Sequence, residues 1–77
     1  MALIRNITEK HMERNSTHIE IEATYTVFER DGRRFIQLDS YGRDDREIPG
    51  KKSQSYQFDE QGAERLYAIL KKQFGFR

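Results

Sequence analysis

The sequence contains no cysteine and no tryptophan, and it has a single proline among its 77 residues. Without cysteine the chain can form no disulfide, no thiolate nucleophile and no cysteine-based zinc site. No segment has the length of a membrane span, and the first residues contain no apolar run long enough for a secretory signal. We therefore expect a cytoplasmic protein that makes no contact with membranes.

The chain also lacks a charge excess of either sign. Charged residues make up 35% of it, yet the formal net charge is only +1. The composition as a whole is therefore not typical of a nucleic-acid-binding protein. Basic residues nevertheless outnumber acidic ones between positions 30 and 52, where they are Arg30, Arg33, Arg34, Arg43, Arg46, Lys51 and Lys52.

The size of the chain predicts one domain and a small core. A domain of this length buries a modest fraction of its surface and is marginally stable alone. Association with a second copy is a common remedy, and we expect a homodimer.

The most informative stretch runs from Ile19 to Tyr41 and contains two alternating runs around Asp31-Gly32. An Asp-Gly pair between such runs is the strongest short-range signal for a β-hairpin, because a type I′ turn needs positive φ at both central residues. A two-residue turn fixes the register. It pairs Arg30 with Arg33, Glu29 with Arg34, Phe28 with Phe35, Val27 with Ile36, Thr26 with Gln37 and Tyr25 with Leu38.

That register separates two faces. One is apolar and consists of Ile19, Ile21, Ala23, Tyr25, Val27, Ile36 and Leu38. The other is polar (Glu20, Glu22, Thr24, Thr26, Gln37, Asp39) but also carries Phe28, Phe35 and Tyr41. A slip by one residue would exchange the two faces, so the pattern itself specifies the register.

The sequence indicates the other sheet elements less clearly than it indicates the hairpin. Residues 1–16 fit either a short strand that contains Leu3, Ile4 and Ile7 or a short polar helix that is capped by Thr8 and runs through Met12. The composition of residues 42–50 predicts a charged loop that ends in Pro-Gly, and weak alternation over Lys51–Phe58 predicts a third strand. The predicted fold is thus α+β: a curved antiparallel sheet of three to four strands over 17–58, followed by one C-terminal helix over 59–75.

The helix has clear boundaries. Asp59 is placed as N-cap, and Gly75 is placed to end the helix in a left-handed conformation. Apolar residues recur at three- and four-residue spacing, which predicts a stripe that covers the apolar face of the hairpin. The stripe is wider than one sheet face needs, and we assign the excess to a dimer interface formed by Leu66, Tyr67, Ile69, Leu70 and Phe74.

The sequence carries no pattern that predicts catalysis, a metal, a cofactor or a small-molecule substrate. His11-Met-Glu13 and His18-Ile-Glu20 are both His-x-Glu, but the zinc deaminase pattern also needs Pro-Cys-x-x-Cys. Gly50-Lys51-Lys52 lacks the Ser or Thr that follows Gly-Lys in a phosphate-binding loop. We expect a protein that is not an enzyme.

The aromatic residues on the polar face suggest a different function. Rings stack on unpaired bases and cationic rims hold the phosphates, which is how single strands are bound without base reading. The structural alternative is that Phe28 and Phe35 form a stabilising cross-strand pair and that the basic residues are only solvated. Because Arg30 and Arg33 repel each other, we also expect that serine at both positions leaves the thermal midpoint unchanged or slightly raised.

The order of these motifs resembles a known family. A Gly32-Arg33 turn leads into an apolar strand ending at Tyr41. An acidic loop then ends in Pro49-Gly50-Lys51-Lys52, a short strand follows, and Phe58-Asp59-Glu60 opens a helix containing Leu66 and Ile69. From about Ala23 to Leu70 this resembles the transcriptional positive coactivator family, which binds single-stranded DNA.

The resemblance implies roles for individual residues. It implicates Arg33, Tyr41, Lys51 and Lys52 in binding single-stranded DNA or RNA, in a dimeric regulator of transcription. Three positions depart from the family: Gly42 replaces an aromatic residue, and Asp39 and Ile48 replace basic ones. The competing hypothesis is a protein–protein adaptor that uses the sheet edge or the aromatic face and has no nucleic-acid role.

Overall fold

A computed structural model describes residues 1–41 and 54–77 of the chain. The fold is α+β, as the sequence predicts, with four strands followed by one C-terminal helix. The elements are β1 (Ala2–Ile4), β2 (Glu22–Arg30), β3 (Arg33–Tyr41), β4 (Gln54–Phe58) and α1 (Glu60–Phe74).

The hairpin of β2 and β3 has the predicted turn and the predicted register. Asp31 and Gly32 have φ angles of 55° and 76°, as a type I′ turn requires. Arg30 pairs with Arg33, and the pairing continues without a bulge to Glu22 and Tyr41. From Glu22 onwards the two faces of the hairpin are therefore those that the hydrophobic pattern predicts, whereas Ile19, Glu20 and Ile21 precede β2 and lie outside the paired strands.

The sheet is mixed rather than purely antiparallel. Its strand order is β1-β4-β3-β2, with β4 antiparallel to β3 and β1 parallel to β4. Parallel strands need a long connection, and here most of the chain lies between β1 and β4. The N-terminal segment thus contains the short strand, and no helix starts at Thr8. The predicted strand residues 51–53 lie outside the described residues.

The helix α1 begins and ends as predicted. The side chain of Asp59 accepts a hydrogen bond from the backbone N–H of Gly62 at 2.9 Å, which satisfies one free donor of the first turn. Gly75 has φ 71° and ψ 26°, and its N–H donates to the carbonyl of Lys71 at 2.8 Å. Glu60 lies in the first turn and Lys71 and Lys72 lie in the last, so the charges complement the helix dipole.

Asp59 also joins three distant parts of the chain. Its carboxylate oxygen Oδ2 accepts from Nε of Arg5 at 2.8 Å and from Nη2 of Arg33 at 2.9 Å. The Asp59 residue is 4% exposed. The Gly62 N–H lowers the pKa of Asp59 most, burial opposes this, and the nearby Arg5 and Arg33 charges lower it further. Because the folded-state pKa lies below the ordinary value, the stabilisation is present at neutral pH and is lost as pH falls through the lowered pKa.

We expect replacement of this carboxylate to destabilise the fold in a pH-dependent way. Asp59→Asn keeps an N-cap oxygen but removes the charge that Arg5 and Arg33 face. The thermal midpoint of the variant should fall by about 5 °C or more at neutral pH. The difference should begin to shrink below about pH 4, where the unfolded carboxylate takes up its proton, and should disappear as the pH falls through the lowered pKa of the native Asp59 carboxylate. Circular dichroism melts at several pH values measure this. Asp31→Asn is the matched control, since Asn also tolerates the turn conformation; a constant difference at all pH values would contradict the role of the charge.

The helix does not cover the apolar face of the hairpin, contrary to the expectation from its stripe. We call the sheet face that α1 contacts the helix-side face; it carries Tyr25, Val27, Ile36, Leu38, Tyr56 and Phe58. Of these only Phe58 is buried, at 6% exposure, whereas Tyr25 is 66% exposed. The reason is the short link from β4 to α1: one residue, Asp59, joins them, and Gly62 is packed so closely against the backbone of Ile4 that a Cβ would overlap the carbonyl oxygen. These contacts hold the start of the helix beside β1, and Ala63 lines a recess between α1 and the sheet together with Val27, Ile36 and Phe58.

Candidate nucleic-acid interface

The opposite face of the sheet, which we call the open face, carries the candidate binding residues. Alternation along the strands places the following side chains on it: Thr24, Thr26 and Phe28 from β2, Phe35, Gln37, Asp39 and Tyr41 from β3, and Ser55 and Gln57 from β4. The helix α1 packs against the other face. The open face therefore contains the three aromatic residues that the sequence singles out, without a helix across them.

The phenylalanine pair lies at the hairpin-turn end of the open face. The rings of Phe28 and Phe35 are stacked, with centroids 5.3 Å apart and an angle of 17° between their planes. The guanidinium carbon of Arg33 lies 5.1 Å from the centroid of Phe35. Phe35 thus already contacts another ring and a cation, and both phenylalanines are half-buried. The cross-strand pair that the structural alternative describes is present, and Phe28 is the better placed of the two rings for an added base.

Tyr41 lies at the far end of β3 and does not continue this pair. Six residues separate it from Phe35, which is about 20 Å along a strand. Its hydroxyl is 3.0 Å from the Thr24 hydroxyl across the hairpin. The aromatic residues therefore form two separate platforms rather than one row, and polar side chains occupy the space between them.

Those polar side chains form a hydrogen-bonded network. Asp39 is 2% exposed, and its Oδ1 accepts from the Ser55 hydroxyl at 2.5 Å and from Nε2 of Gln37 at 2.9 Å. Oε1 of Gln37 in turn accepts from Nε2 of Gln57 at 2.9 Å. Asp39, which departs from the basic residue of the resembled family, is thus the buried centre of this network.

The basic residues near the hairpin turn differ in what they contact. Arg34 pairs with Glu29 at 3.0 Å, and both side chains are exposed. Arg33 binds Asp59, so serine at position 33 would remove an ion pair, and we now expect unchanged stability only for serine at position 30. Within the described residues the structure shows no ion pair or side-chain hydrogen bond for Arg30. The predicted contributions of Arg43, Arg46, Lys51 and Lys52 lie outside the described residues.

The predicted dimer residues divide into two groups. Leu66 and Ile69 are half-buried, whereas Tyr67, Leu70 and Phe74 are exposed, Phe74 by 69%. Phe76 follows the helix and stacks on Phe74, with ring centroids 5.6 Å apart. Phe76 thus extends the exposed apolar surface of α1 beyond Phe74.

Sequence reasoning missed the two buried aspartates as organising residues. Asp59 was predicted only as a cap, and Arg5 was not predicted at all. No local pattern in the sequence indicates the ion pairs of Asp59 with Arg5 and Arg33, because the partners are distant along the chain; Arg5 and Asp59 are 54 positions apart. Asp39 could have been suspected, because a carboxylate at an alternation position beside apolar strand residues needs donors around it.

Other features of the described residues carry little chemistry. His11, Glu13, His18 and Glu20 are all exposed, and residues 1–41 and 54–77 contain no group of three side chains suited to hold a metal ion. Within the same residues no helix is both long and apolar enough to cross a membrane.

Comparison of the chain with protein families, curated proteins and solved structures found no match. The function must therefore be argued from the residues and their geometry.

Proposed function

We propose that this chain is a small homodimeric protein that binds single-stranded nucleic acid on the open face of its sheet. The observation that carries the proposal is the half-exposed Phe28–Phe35 pair, which lies next to arginines and opposite the helix. Aromatic residues combined with cations are the elements with which proteins hold unpaired bases and their phosphates.

The charges around the phenylalanine pair support this use. Arg30 and Arg33 are directly opposed across the hairpin. Arg33 is paired with Asp59 and Arg34 with Glu29, so Arg30 is the hairpin arginine without an ion pair in the described residues. Like charges opposite each other destabilise a hairpin mildly. An anionic ligand would relieve that repulsion, and the phosphates of a strand lying across Phe28 fit the charge.

The homodimer in the proposal rests on the exposed apolar surface. Among the described residues Phe58 is the only buried apolar side chain, which is little core for a domain of this length. The radius of gyration is 14.7 Å, against about 11–12 Å for a compact chain of this length. A partner that covers α1 and the helix-side face would supply the missing burial.

The charges on α1 favour a second copy as that partner. Glu60 and Glu64 lie in its first half, and Lys71 and Lys72 lie near its end. Two copies of the helix packed antiparallel would place the acidic half of each beside the basic end of the other. Opposite charges that flank an apolar seam are a common determinant of helix pairing.

The direct test is titration of a labelled single strand at several salt concentrations. We expect binding that weakens steeply as salt rises, because each phosphate contact releases counterions. Binding is measured by fluorescence anisotropy, and an oligonucleotide of about 12 nucleotides is long enough to span a site of this size. Absence of binding at low salt would refute the proposal.

Arg30 offers the cleanest separation of binding from stability. Because the structure shows no ion pair for Arg30 within the described residues, Arg30→Ser should leave the thermal midpoint unchanged or slightly raised. Single-strand affinity should fall, and the slope of log affinity against log salt should become shallower by about 1. Arg14→Ser, which removes the same charge from an exposed position far along the chain from the hairpin, is the control. Equal affinities of the two variants would argue against a phosphate contact at Arg30.

A second candidate function is favoured by the exposed helix-side face. Tyr25, Val27, Leu38 and Tyr56 present apolar surface there, and surfaces of this kind mark protein–protein contacts. A protein–protein adaptor would use this face for a different partner and would not bind oligonucleotides. The salt titration therefore distinguishes the two functions.

A further inference from the structure

In the hydrogen-bonded network at the centre of the open face, each hydrogen bond has a defined donor and a defined acceptor. The network begins at the Asp39 carboxylate, which only accepts hydrogen bonds when ionised. Gln37 must therefore turn the nitrogen of its amide towards Asp39, and the distance of 2.9 Å from Nε2 to Oδ1 fits that orientation. Ser55 donates to the same oxygen.

The orientation of the Gln37 amide in turn determines the orientation of the Gln57 amide. With its nitrogen turned to Asp39, Gln37 offers Oε1 to Gln57, whose Nε2 donates to it at 2.9 Å. The same nitrogen lies 3.9 Å from the Met1 sulfur. The hydrogen bond to Gln37 assigns the amide nitrogen of Gln57, and its oxygen Oε1 has no hydrogen bond in the described part of the chain. Gln57 is half-buried, so Oε1 is an acceptor that a ligand could use.

The position of this acceptor suits a nucleobase. Gln37 lies two residues from Phe35 on the same face, about 7 Å away along β3, and Gln57 is its neighbour on β4. Phe28 and Tyr41 lie towards the two ends of the face. A strand that stacks one base on Phe28 and continues towards Tyr41 would carry the following base over the two glutamines.

We propose that Gln57, oriented by Gln37 and Asp39, selects a base with an exocyclic amino group at this position and thus prefers cytosine to uracil. The Oε1 acceptor of Gln57 can pair with the N4 amino group of cytosine, whereas uracil, like thymine, presents the acceptor O4 there. This inference rests on the proposed single-strand function and adds base selection to it.

The test compares two homopolymers that share the pyrimidine ring and the backbone. Labelled oligo-dC and oligo-dU of equal length are titrated by fluorescence anisotropy at neutral pH and the same salt concentration. We expect oligo-dC to bind about three- to tenfold more tightly, the usual net effect of one hydrogen bond.

Two variants distinguish the role of Gln57, which would contact the base, from the role of Gln37, which orients the Gln57 amide. Gln57→Met keeps the side-chain length and removes the acceptor, so the affinity for oligo-dC should fall to that for oligo-dU. Gln37→Met keeps Gln57 but frees its amide to turn, so the affinity for oligo-dU should rise towards that for oligo-dC. A merely structural role would lower both affinities together. Gln54→Met lies on the same strand but on the helix-side face and should leave the preference unchanged.

The outcomes distinguish this inference from the function on which it rests. Equal binding of oligo-dC and oligo-dU by the native protein overturns the base selection and leaves single-strand binding standing. A cytosine preference that survives in Gln57→Met also overturns it, because another group then reads the base. Absence of binding to either oligonucleotide at low salt overturns the proposed function itself.

Discussion

The chain is expected to sediment as a dimer at micromolar concentration, and Leu70→Glu is expected to abolish that dimer. Leu70 lies on α1 one turn from Phe74 and three residues from Tyr67, so the three side chains share one exposed apolar stripe. A glutamate within an interface of this kind leaves a buried, unpaired charge, which costs about 3–5 kcal/mol. That is a weakening of association by a factor of about a hundred or more.

The same change outside the stripe provides the control. Ala68 is exposed on α1 and points away from the Tyr67–Leu70–Phe74 stripe by its position in the helical repeat. Ala68→Glu adds the same charge to the same helix and should leave the dimer intact. Sedimentation or light scattering of both variants decides the matter. A native protein that remains monomeric at micromolar concentration would remove the dimer and leave the apolar face for another partner.

A pyrimidine single strand is expected to bind at least about tenfold more tightly than a duplex of the same sequence. Stacking of one base on an aromatic ring is worth about 1–3 kcal/mol and is available only to unpaired bases. A duplex would meet the arginines of the hairpin turn but could not place a base on Phe28. The helix α1 offers no alternative as a recognition helix, since its exposed stripe is apolar.

Replacing the ring tests the source of this preference. Phe28→Leu removes the aromatic surface and keeps apolar volume, so single-strand affinity should approach duplex affinity. Tyr25→Leu removes a more exposed ring from the same strand on the helix-side face and should not change the ratio. If the native protein binds the single strand and the duplex with equal affinity, base stacking contributes nothing and binding is only nonspecific attraction of phosphates.

The predictions that the structure confirms depend on local chemistry. The Asp31-Gly32 turn sets the hairpin register because two residues alone determine the turn type. Asp59 and Gly75 set the helix ends because a cap bonds to groups only three or four residues away. In both cases the interacting residues are close together in the sequence, so the turn and the helix ends can be predicted from the local sequence pattern.

The features that the sequence did not predict depend on distant residues. The parallel pairing of β1 with β4 and the ion pair of Arg5 with Asp59 join opposite ends of the chain. The burial of Asp39 depends on Ser55 from another strand. The exposed helix-side face follows from where Gly62 meets Ile4. No periodicity records such pairings. In the candidate site, the hairpin register predicted the faces and the Phe28–Phe35 pair, but the amide network depends on Ser55 and Gln57 from another strand and was not predicted.

The pairing of β1 with β4 also has a kinetic consequence. The β2–β3 hairpin closes through a two-residue loop, whereas β1 can join the sheet only after a loop of more than fifty residues has closed, as the separation of 54 positions between Arg5 and Asp59 shows. Long loops close at greater entropic cost, so we expect the hairpin to form early and β1 to dock last. During synthesis β1 must wait until Asp59 has left the ribosome. In the folded protein the same segment should open first, and its amide hydrogens should exchange with solvent ahead of those at the centre of β3.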